Sequence, residues 1–176
     1  EDLFDTNISI SRVKELFASH VRVVEIENHS FCNRTCWFCP NSFIDRRSEN
    51  IPTNSHITIK ILDDLASINY RQTLLWARYH EPLALDTIFD NIALARKKLP
   101  EAYLHIFSNG DYIDENTLPS LNSAGLDSIR ISLYVANGEE LTESTIQKRI
   151  SSLSKKTGFD IKERIHARAA KYTQIE

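Results

Sequence analysis

Three cysteines fall within eight residues of one another: Cys32, Cys36 and Cys39, in the run Phe31-Cys-Asn-Arg-Thr-Cys-Trp-Phe-Cys-Pro40. They are the only cysteines among 176 residues. An odd number cannot close a complete disulfide framework. Clustered thiols in a chain with no export signal point to metal or redox chemistry before cross-linking. The spacing C-x3-C-x2-C lets three thiolates on one short loop converge on one centre. A tetrahedral zinc site needs a fourth protein donor, and a four-iron cluster needs a donor for each iron. No fourth cysteine exists. Either His29 or His20 closes a structural Cys3His zinc site, or one position stays open to an exogenous ligand.

A loop of this kind needs rigid support, and the flanking pattern supplies it. Val21–Glu27 is β-branched and extended in character. Asp45–His56 is polar, carries Pro52 and reads as a loop. Beyond it, apolar residues recur at helical spacing over Thr58–Ile68, Thr87–Leu99, Glu115–Ala124 and Glu139–Lys156. Short apolar runs of strand length alternate with them: Leu74–Tyr79, Ala102–Phe107 and Ser128–Tyr134. Asp160–Arg168 is a charged candidate for a fifth strand. Gly125 and Gly158 stand where helices stop. Ile10, Val13, Leu16 and Phe17 predict a short helix ahead of the first strand. Strands alternating with single helices imply right-handed βαβ units and a parallel sheet. An open sheet and a barrel segment both fit this order. In either, the working groups sit at the carboxyl ends of the strands. Those segments are His29–Pro40, His80–Leu83, Ser108–Asp111 and Tyr134–Gly138.

The composition narrows the function classes. A hydrophobic content of 41% suits one domain with a real core. Acidic residues number 24 and basic residues 21, giving a net charge of −3. So near a balance gives no electrostatic case for a nucleic acid or an anionic membrane partner. No apolar run approaches the roughly 20 residues a bilayer needs, and no signal peptide opens the chain. A cytoplasmic protein is expected. The chain starts at Glu1 and contains no Met, which points to a processed chain or a fragment.

Together with the segments that follow it, the cysteine loop resembles the radical S-adenosylmethionine (radical SAM) superfamily. Four ordered motifs over roughly residues 21 to 135 carry the resemblance. The first is C-x3-C-x2-C with the aromatic Phe38 before the last cysteine. The second is Arg78–Leu83, where the family has a Gly-Gly-Glu-Pro-like motif. Glu81 and Pro82 match it, and Tyr79 and His80 replace the glycines. The third is Ser108-Asn109-Gly110, where the family often has Thr-Asn-Gly. The fourth is Gly125–Leu133 (GLDSIRISL), close to the family's fourth strand.

The resemblance implies an α/β fold, a partial parallel (β/α) barrel of the radical SAM type with about five βα units. Residues 21–176 would form the core domain, incomplete at its C-terminus, and 1–20 a helical extension. The branch resembled carries a SPASM or twitch domain after the core. In the family, three cysteines ligate three irons of a [4Fe-4S] cluster, and the amino and carboxylate groups of S-adenosylmethionine (SAM) chelate the fourth. Reductive cleavage then gives a 5′-deoxyadenosyl radical that abstracts hydrogen from an organic substrate.

Carried over residue by residue, Cys32, Cys36 and Cys39 are the iron ligands. Phe38, His80, Glu81, Pro82, Ser108, Asn109, Ser132 and Arg130 are the cofactor-binding candidates. Arg78, Arg130, Arg149, Arg164 and Arg168 are candidate cations for the SAM carboxylate, because the guanidinium fork matches a carboxylate. Arg130 alternates with Ser132 on one strand face. The substrate is a small molecule, a peptide or a protein side chain, with oxidoreductase- or isomerase-type chemistry. A flavodoxin- or ferredoxin-type electron donor is implied. The alternative is a non-catalytic, zinc-stabilised interaction domain.

Overall fold

Asn54 opens the first long helix of the fold, accepting from the His56 backbone N–H at 2.9 Å. Local devices of this sort set most element boundaries in the computed structural model of the chain, which describes residues 8–134, 139–140, 142–158, 165–166 and 174–175. The elements in chain order are α1 (Ile10–His20), β1 (Val23–Ile26), α2 (Ser55–Ser67), β2 (Thr73–Trp76), α3 (Thr87–Lys98) and β3 (Tyr103–Ser108). Then come α4 (Thr117–Ala124), β4 (Ser128–Ser132), α5 (Glu143–Thr157), β5 (Ile165–His166) and β6 (Gln174–Ile175).

Each boundary has a cause. α4 starts two residues later than Glu115, where periodicity predicts it. The Asp114 carboxylate accepts from the N–H groups of Asn116 and Thr117 and from the Thr117 hydroxyl, at 3.0, 2.9 and 2.6 Å. That bond set fixes the first turn. Gly125 ends α4 at φ 93°, a conformation glycine adopts at little cost. α5 carries a capping box between Thr142 and Thr145.

β1, β2, β3 and β4 pair in that order and all run parallel. The register places Val24, Leu74 and Leu104 side by side, and Ile26 beside Trp76 and Ile106. That face, with Leu62, Ile88, Ile92, Leu121, Ile150 and Leu153 from the helices, forms the core. The opposite face carries Glu25, Leu75, His105 and Ser128 in one row, and Phe107 beside Arg130 in the next. Helices on one face and polar side chains on the other make this a partial (β/α) barrel.

The fifth strand differs from expectation. Of Asp160–Arg168, only Ile165 and His166 are described. They form β5, which pairs antiparallel with β6, and β6 pairs antiparallel with β4. The parallel part of the sheet therefore holds four strands among the described residues. The charged span lacks the apolar run that a strand buried on both faces needs. α1 forms as its periodicity predicts, with Ser9 as its cap. Its apolar side chains Ile10, Val13 and Phe17 stay exposed. No described helix is long and apolar enough to cross a membrane.

Candidate active site

The carboxyl ends of the four parallel strands meet the cysteine loop. The loop leaves β1 through Glu27 and is held at several backbone points. Cys32 N–H donates to Arg46 O at 3.0 Å, Ser30 N–H to Ile51 O at 2.9 Å, and Glu81 N–H to Phe31 O at 2.9 Å. The Asn41 side chain donates to Tyr79 O at 2.8 Å. Cys39 N–H closes a turn on Cys36 O at 2.9 Å, and Pro40 then starts a single 3-10 turn. These bonds place all three thiols, half-buried and unbridged, on one cavity. Burial raises the Cys32 and Cys36 thiols, and the Arg34 guanidinium opposes that rise at Cys36.

Phe38, His80, Glu81, Ser108, Asn109 and Ser132 line the same cavity. Phe38 packs against Tyr134, another lining residue, with ring centroids 5.5 Å apart. The cavity measures about 140 Å³, below the roughly 300 Å³ at which drug-sized ligand sites begin.

Glu81 ties the ends of β2 and β3 together. It is 2% exposed. Its Oε1 accepts from the Ser108 hydroxyl at 2.7 Å and from Leu83 N–H at 3.2 Å, and its Oε2 from Asn109 N–H at 2.8 Å. Burial pushes its pKa up to about 7, against the pull of those three bonds. His80 turns away toward β1. Its ring is fully buried, with Nε2 2.6 Å from Asn28 Oδ1 and Nδ1 3.7 Å from Glu27 Oε1. Burial favours protonation of Glu27, but His80, the Arg46 guanidinium and the Tyr79 N–H outweigh it and hold the pKa at about 2.

Two expected cofactor residues lie outside the lining. Pro82 is buried and opens a 3-10 turn behind Glu81. Arg130 lies over the Phe107 ring, its guanidinium carbon 4.9 Å from the centroid, one row below Ser132. Among the candidate cations, Arg78 pairs with Glu25, and Arg149 reaches Asp111 at 2.5 Å and Asn109 O at 2.9 Å. Arg164 and Arg168 lie outside the described residues. Two cations line the cavity: Arg78, paired with Glu25, and Arg34, from inside the cysteine motif itself. Sequence reasoning passed over Arg34, although a charged residue between two clustered cysteines was a signal in plain view.

The two donor-set readings separate here. For a single zinc ion, His29 or His20 should join the thiols. His20 is bonded to Ser19 and Leu16 O on α1. His29 Nδ1 accepts from Phe31 N–H at 3.1 Å, and His29 is not among the residues lining the thiols' cavity. Among the described residues no three His, Cys, Asp or Glu side chains converge as ligands of one ion. A cubane takes each thiolate on a separate iron, so its donors stand further apart than four donors around one ion. Three soft thiols spread around one cavity fit a cluster with an iron left open.

A family model described as the radical SAM superfamily matches residues 28–172. The S-adenosyl-L-methionine-dependent 2-deoxy-scyllo-inosamine dehydrogenase of Niallia circulans is 30% identical over 104 residues, covering 59% of this chain and 41% of that protein. The crystal structure of BtrN in complex with AdoMet and 2-DOIA aligns with a TM-score of 0.61 at 24% identity, covering 77% of this chain and 55% of that one. Selenomethionine BtrN in an open conformation aligns with a TM-score of 0.56 at 27% identity, covering 61% and 48%. The chain spans about half the length of these relatives.

Proposed function

The chain belongs to the radical SAM superfamily, and on that premise we propose that it is the cluster- and SAM-binding core of an enzyme that dehydrogenates a small hydroxylated substrate. One observation carries the reading: three thiols of a single loop face the same cavity as Glu81, Ser108 and Ser132, at the ends of parallel strands. When bound, the [4Fe-4S] cluster and SAM supply hydrogen-atom abstraction from an unactivated carbon. The protein holds, orients and shields them.

Cys32, Cys36 and Cys39 ligate three irons in this reading. They must lose their protons to do so, and Arg34 favours that at Cys36. Glu81, which lines the cavity, would hold the ammonium of the SAM amino-acid end in this reading. An ionised Glu81 suits that cation, and the cation in turn favours the ionised form. Ser108 and Ser132 offer hydroxyls, and the Phe38–Tyr134 pair offers an aromatic wall for the adenine.

The name of the Niallia relative supports oxidation of a small polar molecule over a peptide or protein side chain. A flavodoxin- or ferredoxin-type protein would supply the electron, and the cytoplasm suits three free thiols. Residues 21–176 form the core in this reading. Residues 1–20 are an extension, whose α1 buries none of its side chains among the described residues.

The test is anaerobic reconstitution of the intact protein with iron and sulfide, followed by assay of 5′-deoxyadenosine released from SAM. Wild type should take up a cluster and cleave SAM. Cys36→Ala should lose both together. A Cys36→Ala protein with a full cluster and undiminished cleavage would overturn the ligand assignment.

A further inference from the structure

Asp111 stands just past the end of β3, outside the cavity lining, and gathers three partners from the cysteine loop and α5. Its Oδ2 accepts from Asn33 Nδ2 at 2.8 Å and from Arg34 Nε at 2.6 Å. Its Oδ1 accepts from Arg34 Nη2 at 2.8 Å and from Arg149 Nη2 at 2.5 Å. The first two partners lie between Cys32 and Cys36, and the third lies on α5. The carboxylate is four-fifths buried beside Arg34, so water competes weakly for these bonds.

The same turn is fixed from its other side. Asn109 Nδ2 donates to Asn33 Oδ1 at 2.8 Å, and Asp111 N–H donates to Asn109 Oδ1 at 2.9 Å. Asn109 N–H meets Glu81, and Asn109 O meets Arg149. Gly110 lets the chain reverse between them at φ +74°. A Cβ there would stand 2.7 Å from Ile131 Cγ2. The turn therefore has little room to shift.

We propose that Asp111 is a positioning residue for the cysteine loop: through its fork to Arg34 and its bond to Asn33 it sets the geometry of the Cys32–Cys36 segment against Glu81 and Ser108. This rests on the reading of the loop as a cluster site. The chemistry needs the open iron and the amino-acid end of the cosubstrate in fixed register. The cysteine loop and the Glu81–Ser108 pair belong to different strand ends, and Asp111 and Asn109 bridge them. A paired acid and arginine resist movement in direction as well as distance, because the bidentate bond is planar.

The test compares wild type, Asp111→Asn and Arg34→Lys in the intact protein. Asp111→Asn keeps the shape and loses the charge; Arg34→Lys keeps the charge and loses the fork. Circular dichroism and a thermal melt check the fold. Hydrogen exchange on cluster-free protein reads the loop directly. Both variants should exchange faster over residues 31–39, with β1 to β4 protected as in wild type. After reconstitution, cluster affinity or SAM-cleavage rate should fall about 10- to 100-fold, the usual loss when a residue supporting a metal ligand is removed. The change that SAM makes in the electron paramagnetic resonance spectrum of the reduced cluster should weaken. Asp111→Asn with wild-type exchange and an unaltered spectrum would overturn the proposal, as would Arg34→Lys behaving as wild type. Loss of fold in Asp111→Asn leaves Arg34→Lys to decide. Wild type that binds no cluster would overturn the functional reading, and the positioning role with it.

Discussion

Replacing Glu81 by Gln should change how stability depends on pH, and the size follows from where the carboxyl sits. Its pKa in the folded protein is about 7 against an ordinary value of 4.5, with burial as the cause. A raised carboxyl makes the folded state bind more protons than the unfolded chain between those two values. Stability from this group is therefore full below pH 4.5 and is lost as pH rises to 7. At ~1.4 kcal/mol per pH unit the loss is about 3 kcal/mol, most of it between pH 5 and pH 8.

His29 runs the other way. Its pKa falls from 6.5 to about 4 on burial, so its contribution is present above pH 6.5 and is lost as pH falls toward 4. The two slopes oppose each other in wild type between pH 4.5 and 6.5. In Glu81→Gln only the His29 slope remains. The amide oxygen can still accept from Asn109 N–H and the amide nitrogen can donate to the Ser108 oxygen, while Leu83 N–H, now 3.2 Å from Oε1, loses its acceptor. That loss costs ~1–3 kcal/mol at every pH. Urea unfolding of cluster-free protein from pH 5 to pH 8 gives the comparison. The variant should gain about 2 to 3 kcal/mol on wild type across that range. A difference that stays constant with pH would refute the argument that burial holds this carboxyl protonated.

Three further outcomes follow from single contacts. Gly110→Ala should lower stability by ~1–3 kcal/mol, because a positive φ and a close Ile131 methyl both oppose a side chain; an unchanged thermal midpoint would contradict this. Arg46→Gln should raise the Glu27 pKa from about 2, read by carbon-13 NMR of the carboxyl. Glu27 contributes stability above pH 4.5 that is lost as pH falls toward 2, so the variant should have less to lose on acidification. Both partners are partly exposed, which limits the pair to ~1 kcal/mol. Ser132→Ala should weaken SAM binding about 3- to 10-fold, the worth of one ordinary hydrogen bond, with the melting curve unchanged; undiminished affinity in a calorimetric titration would remove Ser132 from the site.

The alternation of apolar runs and amphipathic stretches made four strands and five helices legible, because period and capping residues act locally. Thr117–Ala124 begins after Asp114, whose carboxylate ties up the Asn116 and Thr117 N–H groups in the preceding turn. The span 160–168 was harder to read, since its described part pairs with the two-residue strand Gln174–Ile175 and charged residues leave no alternation. Cavity residues were legible where they close a strand, as Glu81 and Ser108 do. Arg34 and Asp111 were not picked out, since a bond between residues 77 positions apart leaves no trace in local spacing. Arg149 was named only as a candidate cation for the SAM carboxylate. From the middle of α5 it bonds the post-β3 turn at Asn109 O and Asp111 instead.

Electron paramagnetic resonance of the reconstituted, reduced protein, recorded before and after SAM is added, tests the central claim most directly. One [4Fe-4S] cluster whose signal shifts when SAM binds is the predicted result. A single closed-shell metal ion held by four protein donors, or a cluster signal indifferent to SAM, would contradict it.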